Sequence, residues 1–471
     1  MRTRHWCCLL CLSLLVAVPD SLAAMSAGAA RICITPALGT RINGGVGPGY
    51  AKHVHDDLYV RALVLDDGAT RLAFAVVDTC LLDRPVFDQA KQLVQQHTGI
   101  APERVMMSCT HTHSGGAACG AHLVEADETY RAWLPGRIAD AVACAVNNLA
   151  PAQVAWGGGS VPQHVFCRRV LIKPGETYTN QLGLTGELAK MNWDSPHPAD
   201  GEPAGPTDPE VSVLSVRHAD GRPLALLANY SLHYVGGVGA GHISADYYGV
   251  FSGRIQQLLG ADRQEPPFMG ILTNGTSGDI NNVDPKAKRA PVPPYTQMRR
   301  VAEDVAQEVL RVAKGLEYRQ DVKLRAAMRE CTVGTRRPNA EEVEKARAVV
   351  AGRPPEKLNG FPENYAREQV LLADWPAEVS MPLQVFRIGE LAIAAWPGEI
   401  FAASGLELKQ KTPVKPLFNV ELANGWYGYI PPPEQFKVGA YETWRMRTSP
   451  LEVNAIPKML ATFTALLQET K

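Results

Sequence analysis

Three pairs of apolar, strand-like segments, each pair joined by a tight turn, limit most strongly how this chain can fold. The connecting turns contain Asp66-Asp67-Gly68, Ala219-Asp220-Gly221 and Gly389-Glu390, and such sequences are typical of hairpins. Strands joined this closely pair antiparallel. The sequence therefore predicts antiparallel hairpins at residues 59–65 with 71–77, 211–217 with 224–230, and 383–388 with 391–395.

Helical segments are predicted between these hairpins. The first should begin after Asp83 as its N-cap and end before Gly99. Others are expected at residues 127–148, 245–259, 295–314, 340–351 and 362–373, with a terminal helix from about Leu451. Hairpins interleaved with helices predict an α+β fold, with mixed, largely antiparallel sheets flanked by helices in a single large domain.

Two irregular stretches are expected within this pattern. Gly157-Gly158-Gly159 should break the chain, because three successive glycines have no side chains to pack and carry a large entropic cost in a regular element. Residues 171–208 are rich in Gly, Pro, Asn and Asp, which predicts a long surface loop.

Composition and charge describe an ordinary globular protein. Of the 471 residues, 46% are hydrophobic and 20% are charged, which is normal for a chain with a sizeable core. The net charge is −1, without a long run of one sign. The sequence therefore gives no indication of nucleic-acid binding or of a polybasic membrane surface.

The N-terminus has the features of a secretory signal. Arg2 and Arg4 precede an apolar run over residues 7–18, and Ser21-Leu22-Ala23 offers small residues for cleavage. We expect residues 1–24 to be a signal peptide and the protein to be exported, to the periplasm or outside the cell. The seven cysteines beyond this segment are odd in number and form no CxxC pair, which argues against a disulfide framework and a zinc-thiolate site.

A His-x-His pair follows a short apolar strand predicted at residues 105–107. It lies in Thr110-His111-Thr112-His113-Ser114-Gly115, where small residues favour a turn. On extended chain, His111 and His113 would point to opposite faces, but a turn between them lets both converge. Imidazoles are common metal ligands and proton carriers near neutral pH, so the pair is a candidate for either role. The alternative is a polar loop without chemistry.

Four apolar strands end in a residue that could bind metal or transfer protons. These residues are Asp78, the His111/His113 pair, His233 and Glu399. Two histidines and a carboxylate with one open position form a catalytic zinc arrangement. The alternative is that Asp78 caps a turn and that His233 is a buried histidine with satisfied hydrogen bonds.

Five motifs follow one another along the chain. They are Thr110-His111-Thr112-His113-Ser114-Gly115, the strand-ending His233, Gly278-Asp279, Pro397-Gly398-Glu399 and Tyr427-Gly428-Tyr429. With these motifs in this order, the chain from roughly Ile34 to the C-terminus resembles the catalytic domain of the neutral (alkaline, non-lysosomal) ceramidase family.

The resemblance implies a Zn²⁺ cofactor and a set of site residues. The zinc ligands would be His111, His233, Glu399 and Tyr429. His113 would contact the substrate carbonyl or shuttle protons, and Tyr441 and Arg168 would match a second tyrosine and an arginine of the family. The implied reaction is hydrolysis of the amide bond of an N-acylated, ceramide-like lipid by metal-activated water.

Other residues near these motifs are also candidates. Asp78 and Asp279 could orient the ligating imidazoles or could simply cap turns. The family carries a serine in a Gly-Asp-Val-Ser-Pro stretch, and Asn281 takes its place in Gly278-Asp279-Ile280-Asn281-Asn282. Asn281 can still hydrogen-bond a carbonyl or hydroxyl of the substrate, but a serine nucleophile is lost.

The Asn281 replacement motivates a second hypothesis, a zinc hydrolase that cleaves another amide or an ester. A third hypothesis is a non-catalytic descendant of the scaffold, which would be expected to have lost metal ligands. The expected partner is a small lipid or amide substrate, with no nucleic acid and at most a transient contact with a membrane surface. Residues 25–471 are expected to form the hydrolase domain, without the C-terminal immunoglobulin-like domain of larger family members.

Overall fold

A computed structural model describes residues 25–288 and 290–471. The predicted signal peptide therefore lies outside the described residues. Nine α-helices occur in the described part: α1 Arg84–Thr98, α2 Glu128–Asn147, α3 Asp246–Leu258, α4 Thr296–Ala313, α5 Ala340–Val350, α6 Gly360–Ala373, α7 Ala402–Lys411, α8 Pro433–Val438 and α9 Ala455–Glu469. Within the described residues, none of these helices is both long and apolar enough to cross a membrane.

The strands are two to eleven residues long, and the two-residue strands pair with one another outside the two large sheets. In chain order they are β1 Ser26–Cys33, β2 Arg41–Ile42, β3 Gly49–Tyr50, β4 His53–Val54, β5 Tyr59–Asp66, β6 Arg71–Val77, β7 Val105–Cys109, β8 Ala150–Ser160, β9 Phe166–Cys167, β10 Arg169–Ile172, β11 Ala189–Met191, β12 Asp200–Pro203, β13 Glu210–His218, β14 Pro223–Tyr230, β15 His242–Ile243, β16 Met269–Asn274, β17 Ile280–Asn281, β18 Leu324–Gly334, β19 Glu378–Ile388, β20 Leu391–Ala395, β21 Glu399–Ile400, β22 Leu417–Val420 and β23 Tyr429–Ile430.

Two sheets form the centre of the molecule. The larger has eight strands in the order β16-β14-β13-β8-β1-β5-β6-β7, and the smaller has four in the order β18-β19-β20-β22. Most neighbours pair antiparallel, whereas β6–β7, β14–β16 and β20–β22 pair parallel. The sheets pack face to face through apolar side chains such as Leu63, Phe74, Phe386, Ile393 and Phe418. Sheet-on-sheet packing of this kind buries one face of each sheet.

Helices cover the outer faces of both sheets. Apolar residues of α1 and α2 pack on one half of the large sheet, and those of α3 and α4 pack on the other half. The outer face of the small sheet is covered chiefly by α9, whose Phe463 lies against Trp396 at a ring-centroid distance of 4.3 Å. The predicted α+β class, with mixed, largely antiparallel sheets flanked by helices, is confirmed.

All three predicted hairpins are present as β5–β6, β13–β14 and β19–β20. The predicted break at Gly157-Gly158-Gly159 is wrong, because these residues continue strand β8. Their lack of side chains is required by packing: a Cβ on Gly157 would lie 2.7 Å from Leu316, and one on Gly159 would lie 2.1 Å from Glu308. The predicted loop over residues 171–208 is wrong in part, since it contains β11 and β12, which pair with β10 in a three-stranded sheet.

Candidate metal centre

The His-x-His pair lies where strand β7 ends. His111 adopts a left-handed backbone conformation with φ of +70°, which turns the chain directly after the strand. The turn brings the two rings together, so that His111 Nε2 and His113 Nε2 are 3.2 Å apart. The expected convergence of this pair is therefore present in the structure.

Other loops bring two more of the predicted ligands to the same point. His233 follows strand β14, and its Nε2 lies 3.0 Å from His111 Nε2. Glu399 begins β21, and its Oε2 lies 3.4 Å from His111 Nε2 and 3.5 Å from His233 Nε2. The ligand-type atoms of these three buried residues all lie within 4.8 Å of one another.

The protonation of the two imidazoles follows from their other ring nitrogens. His111 Nδ1 lies 3.0 Å from the Cys80 carbonyl oxygen, and His233 Nδ1 lies 2.9 Å from the Ser277 carbonyl oxygen. A carbonyl only accepts, so each Nδ1 carries the hydrogen of the neutral ring. Both Nε2 atoms then direct lone pairs at each other and at the Glu399 carboxylate. Three electron donors that face one another inside a protein are stabilised by a cation between them.

The Glu399 carboxylate also has an oxygen available to a cation. Its Oε1 accepts a hydrogen bond of 3.0 Å from Trp426 Nε1. Its Oε2 is buried and has no hydrogen-bond partner among the described residues. A buried carboxylate oxygen without a donor is costly, and a metal ion would supply the missing positive charge. The residues present therefore fit a metal site.

Burial and neighbouring charges set the pKa values of the cluster. Burial lowers the pKa of His233 and of His113 well below the usual range, and nearby positive groups act in the same direction. Burial would also lower the pKa of His111, but the adjacent Cys80 and Glu399 groups outweigh it and raise that pKa to about 10. Without a metal ion a proton therefore occupies His111 Nε2, and a bound cation would take the place of that proton. Against the effect of its own burial, the pKa of Glu399 is lowered by His111, Trp426 and Tyr429. Glu399 is thus ionised at neutral pH.

Two predicted residues, Tyr429 and Arg168, lie next to this carboxylate. Tyr429 pairs with Glu399 in register between β23 and β21. Arg168 Cζ lies 5.2 Å from the centre of the Tyr429 ring, and its Nε donates to Glu442 Oε1 at 2.8 Å. The Arg168 Nη2 atom is buried, and no described residue provides a hydrogen-bond partner for it. The Arg168 guanidinium can therefore donate one further hydrogen bond, from Nη2.

The last predicted tyrosine closes one side of the site. The ring of Tyr441 lies 5.7 Å from that of Tyr429, and both line a cavity of about 40 Å³ with His111, His113 and Glu399. Such a volume holds a metal ion with one or two waters, but not an acyl chain. A long substrate would have to extend beyond the cavity.

Asp78 and Asp279 do not have the orienting role considered from the sequence. Asp78 Oδ2 accepts from the Arg61 guanidinium at 2.5 Å and from Tyr59 N at 2.9 Å. Asp279 Oδ1 accepts from Ala402 N at 2.8 Å. The Nδ1 atoms of the ligating imidazoles face backbone carbonyls instead, because the turns after β6 and β16 present the Cys80 and Ser277 carbonyls at hydrogen-bond distance.

Asn281 is engaged with another amide. Its Nδ2 donates to Asn192 Oδ1 at 2.9 Å, and its Oδ1 lies 3.3 Å from Asn192 Nδ2 and 3.1 Å from Val283 N. The side chain therefore ties β17 to the neighbouring loop, beside strand β9 and Arg168.

Four residues of the site were missed from the sequence. Tyr234 stacks on His113 at a centroid distance of 3.5 Å. The Cys80 carbonyl oxygen is hydrogen-bonded to His111 Nδ1, and Trp426 Nε1 donates to Glu399 Oε1. His122 Nε2 is hydrogen-bonded to Tyr441 Oη. Tyr234 and Trp426 stand one residue after His233 and three residues before Tyr429, so proximity to the predicted ligands was the only signal available for them.

Comparison with known proteins agrees with this geometry. The sequence profile of the family described as neutral/alkaline non-lysosomal ceramidase, N-terminal, matches residues 48–290. The crystal structure of neutral ceramidase from Pseudomonas aeruginosa is similar in fold, with a TM-score of 0.72 and 18% identity over 96% of this chain and 75% of that chain. A ceramidase structure described as complexed with C2 gives a TM-score of 0.70 and 17% identity over 95% of this chain and 76% of the other. The chain therefore belongs to the neutral/alkaline non-lysosomal ceramidase family, a family of amide-bond hydrolases.

Proposed function

We propose that the protein is a zinc-dependent hydrolase that cleaves the amide bond of an N-acylated, ceramide-like lipid. The observation that carries this proposal is the cluster of His111, His233 and Glu399, with two lone pairs and an unpartnered carboxylate oxygen directed at one point. Two imidazoles and one carboxylate are a donor set typical of catalytic zinc. Membership of the ceramidase family supports the amide substrate.

We assign the metal-binding role to His111, His233, Glu399 and Tyr429. When bound, a zinc ion would lower the pKa of water and polarise the substrate carbonyl as a Lewis acid. The backbone carbonyls of Cys80 and Ser277 keep the ring hydrogens on Nδ1, so that both Nε2 atoms remain available as ligands.

His113, Tyr441 and Arg168 are assigned to the reacting groups. The neutral His113 Nε2 can receive a proton and deliver it to the departing amine nitrogen, a role worth roughly 10²–10⁴ in rate. Tyr441 Oη and Arg168 Nη2 are donors that can hydrogen-bond the carbonyl oxygen as its negative charge develops. Tyr234, stacked on His113, holds that ring in place.

An aromatic cluster next to the cavity favours an amphiphilic substrate. The rings of Trp193, Phe361 and Trp444 lie 5.4, 5.9 and 5.7 Å from the Tyr441 ring. Trp193 is 38% exposed, so the cluster extends from the buried site to the surface. An acyl chain too large for the cavity could pack along these rings, and a transient contact with a membrane surface would deliver it.

The same residues leave room for a second candidate, hydrolysis of another amide or of an ester. The observation that favours it is Asn281, which stands in the position of the family serine and is bonded to Asn192. In both cases we propose that Asn281 fixes the loop beside Arg168. We also propose that residues 25–471 act as one hydrolase domain and that the protein is exported.

Metal analysis and hydrolysis, measured on one sample, test the proposal. Protein covering residues 25–471 is purified without chelators, its metal content is measured, and it is assayed on an N-acyl-sphingosine and on the matched ester. We expect about one zinc per chain and cleavage of the amide. His111→Ala and His233→Ala should lose both, since each removes one of the converging Nε2 atoms.

The control is His164→Ala, which removes a buried histidine bonded to Asp304 of α4 instead of the cluster. It should keep both metal and activity. Zinc without amide cleavage but with ester cleavage would favour the second candidate. Wild-type protein without metal, or ligand variants that retain it, would refute the proposed site.

A further inference from the structure

The hydroxyl of Tyr441 is hydrogen-bonded to a histidine outside the predicted site. His122 Nε2 lies 2.9 Å from Tyr441 Oη. On the opposite side of the same buried ring, Asn364 Nδ2 lies 2.9 Å from His122 Nδ1. Helix α6, which carries Asn364, is thereby connected to the reacting side of the site through one imidazole.

The fold holds His122 in place by its backbone as well as its ring. The residue has a φ of +55°, a left-handed conformation that costs a non-glycine residue roughly 1 kcal/mol or more. Its carbonyl oxygen accepts hydrogen bonds from Arg367 and Arg447. Both guanidiniums also contact the buried Glu368 carboxylate. A strained conformation persists only where the surroundings determine it, so this network fixes the position of the ring.

The direction of the hydrogen bonds follows from the donor at Asn364. Asn364 presents Nδ2 to His122 Nδ1, and its Oδ1 is buried without a partner among the described residues. In this amide orientation Nδ2 donates to Nδ1, so the ring hydrogen is on Nε2 and is donated to Tyr441 Oη. Burial lowers the pKa of His122 and keeps the ring neutral, and burial raises the pKa of Tyr441 and keeps its hydroxyl protonated. The Tyr441 hydrogen is then free to point into the cavity. Hydrogen bonds that run in one direction polarise and strengthen each other.

We propose that His122, oriented by Asn364, is a positioning residue that makes the Tyr441 hydroxyl a hydrogen-bond donor to the oxygen of the scissile carbonyl. This inference rests on the proposed amide hydrolysis at the metal centre. In the opposite tautomer, His122 Nε2 would accept the Tyr441 hydrogen, and the developing oxyanion would lose that donor. A single such donor is worth about 10²–10³ in kcat where it has been removed from a hydrolase.

Two substitutions of the ring test the positioning role. His122→Ala removes the donor to Tyr441, and we expect kcat on the N-acyl-sphingosine to fall about 10- to 100-fold, with KM and zinc content unchanged. His122→Gln keeps an N–H near the position of Nε2 and should restore most of the lost kcat. His164→Gln is the matched control and should behave as wild type. Wild-type kcat in His122→Ala would overturn the inference.

Asn364→Asp gives a signature that a structural role would not produce. The carboxylate accepts from Nδ1–H, so Nε2 can donate only while the ring is protonated, and kcat should fall as pH rises through the pKa of that ring. The wild-type protein should not show this fall of kcat with rising pH. A pH profile of kcat in Asn364→Asp that is identical to that of the wild type would contradict the proposal. The titratable groups that face the ring or its carbonyl, or act on the charge of the ring, are Tyr441, Glu399, Arg367, Arg447, Glu368 and Glu125.

The tautomer itself is measured without reference to activity. A long-range ¹H–¹⁵N correlation spectrum of the zinc-loaded, ¹⁵N-histidine-labelled protein, assigned with His122→Gln, should show hydrogen on Nε2 of His122 and a lone pair on Nδ1. The reverse pattern would overturn the inference whatever the assay gives. If the wild type does not cleave the amide, the proposed function fails, while the spectrum still decides the direction of this hydrogen bond.

Discussion

Trp426 donates its indole N–H to Glu399 Oε1 at 3.0 Å and thereby leaves Glu399 Oε2 directed at the two Nε2 atoms of His111 and His233. One carboxylate oxygen is fixed by the indole, and the other remains available to a metal ion. An indole is well suited to this role because it is a donor only and cannot compete for the metal. The ligand is thus oriented before a metal binds.

Trp426→Phe should weaken zinc binding about 10- to 100-fold, because the carboxylate loses the hydrogen bond that orients it. The measurement is competition for zinc with a chelator of known affinity. The control is Trp133→Phe, since Trp133 is 44% exposed on α2 and packs beside Tyr130 and Arg137. Equal zinc affinities for both variants would show that the indole does not orient Glu399.

Glu421 connects the segments that carry two proposed ligands. Its Oε1 lies 2.6 Å from Ser277 Oγ, and its Oε2 accepts from Ser277 N at 3.1 Å and from Ile400 N at 2.8 Å. Ser277 supplies the carbonyl that bonds His233, and Ile400 follows Glu399. Glu421 is fully buried, and burial raises its pKa well above the usual range. The side chain is therefore neutral in the folded protein, and a neutral side chain of the same shape should replace it with little loss of stability.

Glu421→Gln should change the free energy of unfolding by less than about 1 kcal/mol, since the amide oxygen still accepts the two backbone N–H groups. Glu421→Leu leaves those donors unpaired and should cost about 3 kcal/mol. Urea unfolding of chelator-treated protein measures both without a contribution from metal binding. If the two variants were equally destabilised, the hydrogen bonds would not be what holds these segments.

Trp193 is expected to bind the acyl chain beyond the small cavity. Trp193→Ala should raise KM roughly 10-fold for long-chain N-acyl-sphingosines and leave short-chain substrates unaffected, because about 1–2 kcal/mol of aromatic contact is lost. Trp375→Ala is the matched comparison, since Trp375 lines a different cavity of about 500 Å³ beyond Trp426 and Tyr427. A chain-length effect at Trp375 but not at Trp193 would assign the acyl chain to that other cavity.

The hairpins and helix boundaries could be predicted because their signals are local. Asp83 and Gly99 flank α1 as expected, since a left-handed C-cap glycine and Pro85 in the first turn act within a few residues. Asp83 stands at the N-cap position as predicted, but its side chain does not cap the helix. Its carboxylate accepts from Arg131 at 2.7 Å and makes no capping hydrogen bond. The error at Gly157-Gly158-Gly159 has the opposite origin, because Glu308 and Leu316, which require those glycines, are far away in sequence.

The site was predictable only as far as its motifs reach. His111, His233 and Glu399 each follow or begin a strand, and that pattern alone suggested convergence. His122 and Asn364 are 242 residues apart, and nothing near either of them in sequence predicts their contact. Asp78 differs, because its partner Arg61 lies on the other strand of the predicted hairpin, and this contact takes the carboxylate away from the imidazoles.

Lys91 gives a prediction about pH and stability far from the proposed chemistry. It is buried on α1, and burial lowers its pKa to about 8 from the ordinary lysine value of 10.5. Between these two pH values the unfolded chain binds more protons than the folded chain, so the Lys91 contribution to the free energy of unfolding rises with pH. Below about pH 8 both states are protonated, and the cost of burying the charge is constant.

Lys91→Met removes that cost. The variant should be more stable than wild type at pH 7 by about 1–3 kcal/mol, and the advantage should shrink as pH rises from about 8 to about 10.5. Urea unfolding of both proteins across this range measures the difference, in which other titrating groups cancel. Lys314→Met, at an exposed position, should run parallel to wild type. A Lys91→Met curve that also runs parallel to wild type would mean that the ammonium keeps its contact with water in the folded state.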